Sequence, residues 1–116
     1  MELEQRVYTL SEVAKESPGH AVKTVIYDTD CTSAAVWVVH PGQTVSMHRH
    51  DTSDDVWICL QGEGLFHPAP GEDVPVAAGQ LIVSPKGVAH GFTNIGDVDF
   101  LYVSVVAPVP ADYHAL

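Results

Sequence analysis

The chain has few basic residues. Five Lys and Arg residues stand against fifteen Asp and Glu residues, which gives a formal net charge of −10 over 116 residues. Nucleic acids and anionic membrane surfaces repel such a chain, so we expect neither as a partner. Charged residues make up only 17% of the chain and apolar residues 46%, which favours a globular protein over a disordered one.

Long hydrophobic runs and cysteine pairs are also missing. No apolar segment approaches the roughly 20 residues that a membrane-spanning helix needs. The first residues, MELEQRVYTL, lack the positive stretch and apolar run of a secretory signal. The two cysteines, Cys31 and Cys59, form no CxxC pattern, so we expect two buried, unpaired thiols rather than a disulfide. We therefore expect a cytoplasmic protein.

The sequence does contain short segments rich in Val, Ile and aromatic residues, separated by glycine and proline. Such strands at near-regular spacing predict an antiparallel sandwich or barrel. Residues 10–17 are an exception, where we expect Ser11 to cap a single helical turn. With no repeat and no linker, one all-β domain over residues 1–116 is predicted. The strand-like segments are 21–29, 33–41, 55–62, 64–69, 73–79, 80–85, 90–95 and 99–108.

The stretch HRHDTSDD, residues 48–55, concentrates metal-ligating side chains. If a strand reaches residue 50, His48 and His50 point to the same face with their Cα atoms about 7 Å apart. Two imidazoles in that arrangement can converge on one ion. An isolated HxH pair is a surface pair or a hydrogen-bonded core pair at least as often as it is a metal site, so this stretch alone leaves both possibilities open.

A second stretch, GQLIVSPKGVAHGFTN at residues 79–94, completes a pattern. Together the two stretches resemble the two conserved motifs of the cupin superfamily. Every fixed position of the second motif matches, and the first departs only where the family usually has Glu and this chain has Asp55. The resemblance implies a small single-domain cupin, which is a double-stranded antiparallel β-helix or jelly-roll barrel. The matching positions are Gly42, His48, His50, Gly62, Gly79, Pro85, Gly87, His90 and Asn94, and Asp55 is the one departure.

By that resemblance His48, His50, Asp55 and His90 meet inside the barrel and bind one divalent transition metal ion per chain. Three imidazoles and a carboxylate suit Fe, Mn, Ni, Co, Cu or Zn. Asp55 is the open point, because aspartate falls short of glutamate by roughly 1.5 Å, one C–C bond. Three arrangements stay open: the strand that carries Asp55 moves inward, the carboxylate binds the metal through a water, or the site consists of the three histidines alone. The rival carboxylates are Asp51 and Asp54, and the histidines we expect not to ligate are His20, His40, His67 and His114.

Three further side chains are expected at the substrate pocket. Trp57 and Cys59 share a strand face with Asp55, and Phe92 lies two residues after His90. Residues two apart on a strand point the same way, so all three should line a cavity beside the metal. Cys59 also needs no role beyond that of a small buried hydrophobe. Asn94 is expected to make turn hydrogen bonds.

The resemblance leaves several functions open, because this fold carries many chemistries. One is a metal-dependent enzyme, a dioxygenase or an isomerase or lyase, that acts on a small organic acid or polyphenol-like substrate. Another is a non-catalytic domain that binds or senses a metal or small ligand, and a third is a barrel with a vestigial site. Small cupins commonly pair, so a homodimer is expected, with residues 6–10 and 99–106 as candidate pairing segments.

Overall fold

The computed structural model describes residues 4–116 as two five-stranded antiparallel sheets around one core. One sheet has the order β1-β2-β9-β4-β7 and the other the order β10-β3-β8-β5-β6. This is the predicted double-stranded β-helix. The elements are α1 (Leu10–Val13), β1 (Val22–Asp28), β2 (Ser33–Val39), β3 (Thr44–Arg49), β4 (Asp54–Gln61), β5 (Glu63–His67), β6 (Val74–Ala77), β7 (Leu81–Ser84), β8 (His90–Thr93), β9 (Phe100–Ala107) and β10 (His114–Ala115).

Aromatic rings from both sheets fill the core. Phe92 of β8 stacks on Phe100 of β9 at a centroid distance of 4.1 Å, and Trp57 of β4 stacks on Tyr102 at 4.3 Å. All four are buried, and each ring of this size contributes on the order of 1.5–3 kcal/mol when it leaves water. Gly64 makes room for this packing, because a Cβ there would run into the Phe92 ring and lie 2.7 Å from the Thr93 carbonyl oxygen.

Strand β4 shows the predicted alternation of faces. Asp55, Trp57 and Cys59 are buried, whereas Ile58 and Leu60 are 40% and 43% exposed. The exposed side of β4 belongs to a larger surface, because β4 pairs with β7 on one side and β9 on the other. In this register Ile58 lies beside Leu81 and Val103. We call this surface the outer aliphatic face; its residues are Val56, Ile58, Leu60, Leu81, Val83, Val103 and Val105.

Asn94, at the end of β8, makes the hydrogen bonds expected of it. Its buried side-chain amide donates to the Val39 and Val98 carbonyls at 2.9 Å each, and its Oδ1 accepts from the Gly96 amide at 2.9 Å. These contacts fasten the turn that follows β8 to the end of β2. Asn94 is therefore structural.

Several local expectations are wrong. The four-residue helix is preceded by Thr9 as its N-cap, without a side-chain capping bond, so Ser11 lies inside it. Cys31 is unpaired but exposed, because it lies in the turn between β1 and β2, whereas Cys59 is unpaired and buried as expected. Residues 99–106 cannot pair at an edge, because β9 lies between β2 and β4.

Three further points concern the ends of the chain, and a fourth concerns its helices. Residues 6–9 form no strand. At the other end the structure adds β10, which the sequence analysis did not predict. No helix within residues 4–116 is long and apolar enough to cross a membrane. Residues 1–3, the start of the predicted domain, lie outside the described residues.

Candidate metal centre

The four predicted ligands come from both sheets, because β3 and β8 are neighbours in one sheet and β4 lies in the other. His48 ends the buried face of β3, and its Cα pairs directly with that of His90 at the start of β8. His50 follows β3 by one residue, and Asp55 projects from the second position of β4. The alternation of β3 turns His48 and His50 to the same side, as expected for an HxH pair.

These side chains converge on one point. Each offers a nitrogen or oxygen atom, and these atoms all lie within 4.8 Å of one another. Oδ2 of Asp55 lies 3.1 Å from Nε2 of His90 and 3.5 Å from Nε2 of His50. Two ligand atoms at about 2.1 Å from one ion are about 3.0–3.4 Å apart in octahedral or tetrahedral geometry, so both separations suit a shared metal. The shorter aspartate side chain therefore reaches the cluster.

The three imidazoles are held in the orientation that a metal requires. Nδ1 of His48 faces the Ser46 carbonyl oxygen at 2.7 Å, Nδ1 of His50 faces that of Asp112 at 2.6 Å, and Nδ1 of His90 faces that of Val88 at 3.3 Å. A carbonyl accepts only, so these contacts place the proton on Nδ1. The Nε2 lone pairs are then directed into the cluster, as in protein metal sites.

Asp55 is held in its ionised form. The Ser104 hydroxyl donates to its Oδ1 at 2.7 Å, which leaves Oδ2 facing the imidazoles. Burial raises the pKa of this carboxyl, but in the metal-free site, where a proton lies between it and the His90 ring, that ring and the Ser104 hydroxyl outweigh burial and the pKa lies below its ordinary value. For His48 burial prevails over the Ser46 hydrogen bond and lowers the pKa, which keeps the imidazole neutral.

One buried atom supports a cation at this point. Nε2 of His90 is buried and makes no hydrogen bond with any described residue, although the Asp55 carboxylate lies 3.1 Å away. Two electron-pair donors that face each other without water are unfavourable unless a proton or a metal ion lies between them. The donor set, three imidazoles and a carboxylate, is one that divalent transition metals accept. The residues present thus fit the metal.

The rival acids lie outside the cluster. Asp51 pairs with Arg49 at 2.9 Å, and the Asp54 carboxylate accepts the Lys86 amide at 3.0 Å. The other histidines also have different partners. His20 lies at the cavity edge, His40 contacts Asp99 and Glu16, His67 contacts Asp73 and Thr93, and His114 contacts Asp51 and Asp112.

A cavity of about 380 Å³ opens beside the centre. Of the three side chains expected at the substrate pocket, Trp57 lines this cavity, whereas Cys59 and Phe92 lie in the core, where Phe92 stacks on Phe100. The sequence analysis missed several of the residues that line the cavity, because they belong to no motif. The lining comprises His20, Ala21, Lys23, Trp37, Thr44, Val45, Ser46, His48, His50, Asp55, Trp57, Ser104, Val106, Ala111 and Tyr113.

Comparison with known families agrees with the fold and the cluster. The profile of the Cupin domain matches residues 35–106, which carry all four candidate ligands. The chain belongs to the cupin family. A crystal structure of an uncharacterised double-stranded β-helix protein from Klebsiella pneumoniae superposes on this cupin with a TM-score of 0.93 at 32% identity, covering 97% of each chain.

Two curated relatives of this cupin have named activities. It is 35% identical over 66 residues to an oxalate-binding protein from Thermotoga maritima, across 57% of this chain and 54% of the relative. It is 30% identical to a gentisate 1,2-dioxygenase from Ralstonia, across 96% of this chain but 31% of the relative. The cupin thus spans about half or less of the length of these relatives.

Proposed function

We propose that this cupin binds one divalent transition metal ion through His48, His50, His90 and Asp55. The observation that carries the proposal is the set of three imidazoles whose Nδ1 atoms each face a backbone carbonyl. Their Nε2 atoms are thereby directed at Oδ2 of one buried, ionised aspartate. A bound ion of this kind supplies Lewis-acid or redox chemistry at a substrate oxygen.

We further propose that the protein is an enzyme for a small organic acid, of the dioxygenase or the isomerase or lyase class. Lys23 is the one Lys or Arg among the described residues that line the cavity, and it makes no ion pair with any of them. Its charge favours an anion there in a chain whose net charge is −10. Trp37, Trp57 and Tyr113 offer flat apolar walls, and the dioxygenase-named relative supports the class.

The alternative is a cupin that holds metal and ligand without turnover. Its support is the relative named an oxalate-binding protein, which is 35% identical over the 66 residues matched. The two functions share the metal and the anionic ligand. The enzyme and the binding protein differ in whether the bound acid is converted to a product.

The metal is tested by elemental analysis of the purified protein. We expect close to one transition metal ion per wild-type chain and its loss in His48→Ala, with His67→Ala as a control histidine outside the cavity. Metal kept in Asp55→Ala would indicate a three-histidine site, and metal lost would establish the carboxylate as a ligand. A wild-type protein that neither carries nor takes up any of these metals overturns the proposal.

Catalysis is tested with the metal-loaded protein and a panel of small acids that includes oxalate and gentisate. Oxygen uptake with a consumed acid supports the dioxygenase class, and a rearranged or cleaved product without oxygen uptake supports the isomerase or lyase class. Lys23→Met should weaken binding of the acids, whereas Lys86→Met, outside the cavity, should not. Saturable binding with every acid recovered unchanged favours the non-catalytic alternative.

A further inference from the structure

The last residues of the chain return to the metal centre. We call residues 108–116 the C-terminal strap. Its short strand β10 pairs with β3, so that Ala115 lies beside His48 and His114 beside Arg49, and the Leu116 amide donates to the Met47 carbonyl at 3.1 Å. At its other end the Ser53 hydroxyl donates to the Pro108 carbonyl at 2.5 Å. The strap therefore contacts both sides of the loop between β3 and β4, which carries His50.

Asp112 holds the middle of the strap to that loop. Its carboxylate accepts the backbone amides of Asp51 and Thr52 at 3.0 Å each and the Thr52 hydroxyl at 2.8 Å. Hydrogen bonds to an ionised acceptor are about twice as strong as neutral ones. One side chain thus fixes the backbone of the two residues that follow His50.

The backbone of the same residue orients a candidate ligand. The Asp112 carbonyl faces Nδ1 of His50 at 2.6 Å, across 62 positions of sequence. The other two imidazoles use carbonyls only two positions away, those of Ser46 and Val88. His48 therefore takes its orientation from its own strand and His90 from the turn just before its strand, whereas His50 takes it from the strap.

We propose that Asp112 is a positioning residue of the metal centre. Its carboxylate fastens the strap to the loop, and its carbonyl then holds the His50 ring with Nε2 directed at the ion. This inference rests on the proposed metal site. The ring of Tyr113, the next residue, stacks on His48 at a centroid distance of 5.0 Å and lines the cavity. Partners that orient a ligating histidine are worth about 10- to 100-fold in metal affinity.

The test uses Co²⁺, whose visible spectrum reports the geometry of its ligands, in competition with a chelator of known affinity. We expect Asp112→Ala, and a chain that ends at Ala111, to bind Co²⁺ about 10- to 100-fold more weakly than wild type, with an altered spectrum. Asp112→Asn, whose amide oxygen still accepts hydrogen bonds, should recover much of the affinity. The matched control is Asp99→Ala, which removes an acid bonded to His40 at the opposite end of β9.

The results distinguish a positioning role of Asp112 from a role of the strap in stability alone. Weaker binding with a changed spectrum in Asp112→Ala, while Asp99→Ala behaves as wild type, supports the proposal. Wild-type affinity and spectrum in both Asp112→Ala and the shortened chain overturn it, even if their melting temperatures fall. Equal losses in Asp112→Ala and Asp99→Ala also overturn it. A wild-type protein that binds neither Co²⁺ nor any other of the metals named above overturns the proposed metal site itself, and the positioning role with it.

Discussion

The hydrogen bond from Ser104 to Asp55 should be worth more than an ordinary one, because its acceptor is a buried, ionised carboxylate. The two side chains are 4% and 3% exposed and their oxygens lie 2.7 Å apart. Hydrogen bonds to charged groups contribute about 1.5–3 kcal/mol. We therefore expect Ser104→Ala to lower the free energy of unfolding of the metal-free protein by that amount at pH 7, as measured by urea unfolding.

The dependence on pH follows from the direction of the Asp55 shift. Its pKa in the folded chain lies below the ordinary 3.8, so the interaction stabilises fully above 3.8 and is lost as the pH falls through the lower folded value. The loss of unfolding free energy caused by Ser104→Ala should therefore become smaller as the pH falls below 3.8. Ser84→Ala is the matched control, since Ser84 is equally buried and lies opposite Asp55 on β7, but its hydroxyl bonds no described residue. Equal costs for the two variants, both under about 0.5 kcal/mol, would refute the argument.

Three other predictions concern the core, the histidines and the surface. Gly64→Ala forces a methyl group against Phe92, and thermal or urea unfolding should detect a loss of about 1–3 kcal/mol; an unchanged midpoint would contradict it. In an NMR titration of the metal-free protein, burial should bring the pKa of the His48 imidazole below 6.5. The Asp99 carboxylate, which is hydrogen-bonded to His40, should bring the pKa of the His40 imidazole above 6.5, and the reverse order of the two midpoints would contradict both assignments. We expect a homodimer that forms through the outer aliphatic face, and light scattering should report its mass. Val83→Lys, on that face, should convert the dimer to a monomer, whereas a monomeric wild type would rule the dimer out.

The candidate ligands could be predicted because each lies in a local pattern. The HxH pair specifies two side chains on one strand face wherever that strand lies, and the Pro85, Gly87 and His90 spacing specifies a turn that opens the next strand. Family resemblance then supplied the pairing of the two motifs. The structure brings these side chains within reach of one ion. Their ligation remains a prediction.

The pocket was predicted less well, because strand alternation says which side chains point inward but not how deep each lies. Trp57 and Phe92 both point inward, yet only Trp57 reaches the cavity, since Phe92 is covered by the aromatic stack. Lys23 and Tyr113 reach the cavity from β1 and from the strap, two segments in which no motif occurs. Their contribution depends on which strands pair, and pairing is a long-range property.

The sequence by itself determined most of the strands, the buried face of β4 and the side chains whose chemistry suits a metal. These features follow from periodicity and side-chain chemistry, which act over a few residues. Only the tertiary structure decided that β9 is a central strand, that Asp55 reaches the imidazoles although it is shorter than glutamate, and that the Asp112 carbonyl of the strap faces His50. Each of these depends on contacts between residues dozens of positions apart, and such contacts exist only once the two sheets have closed on each other.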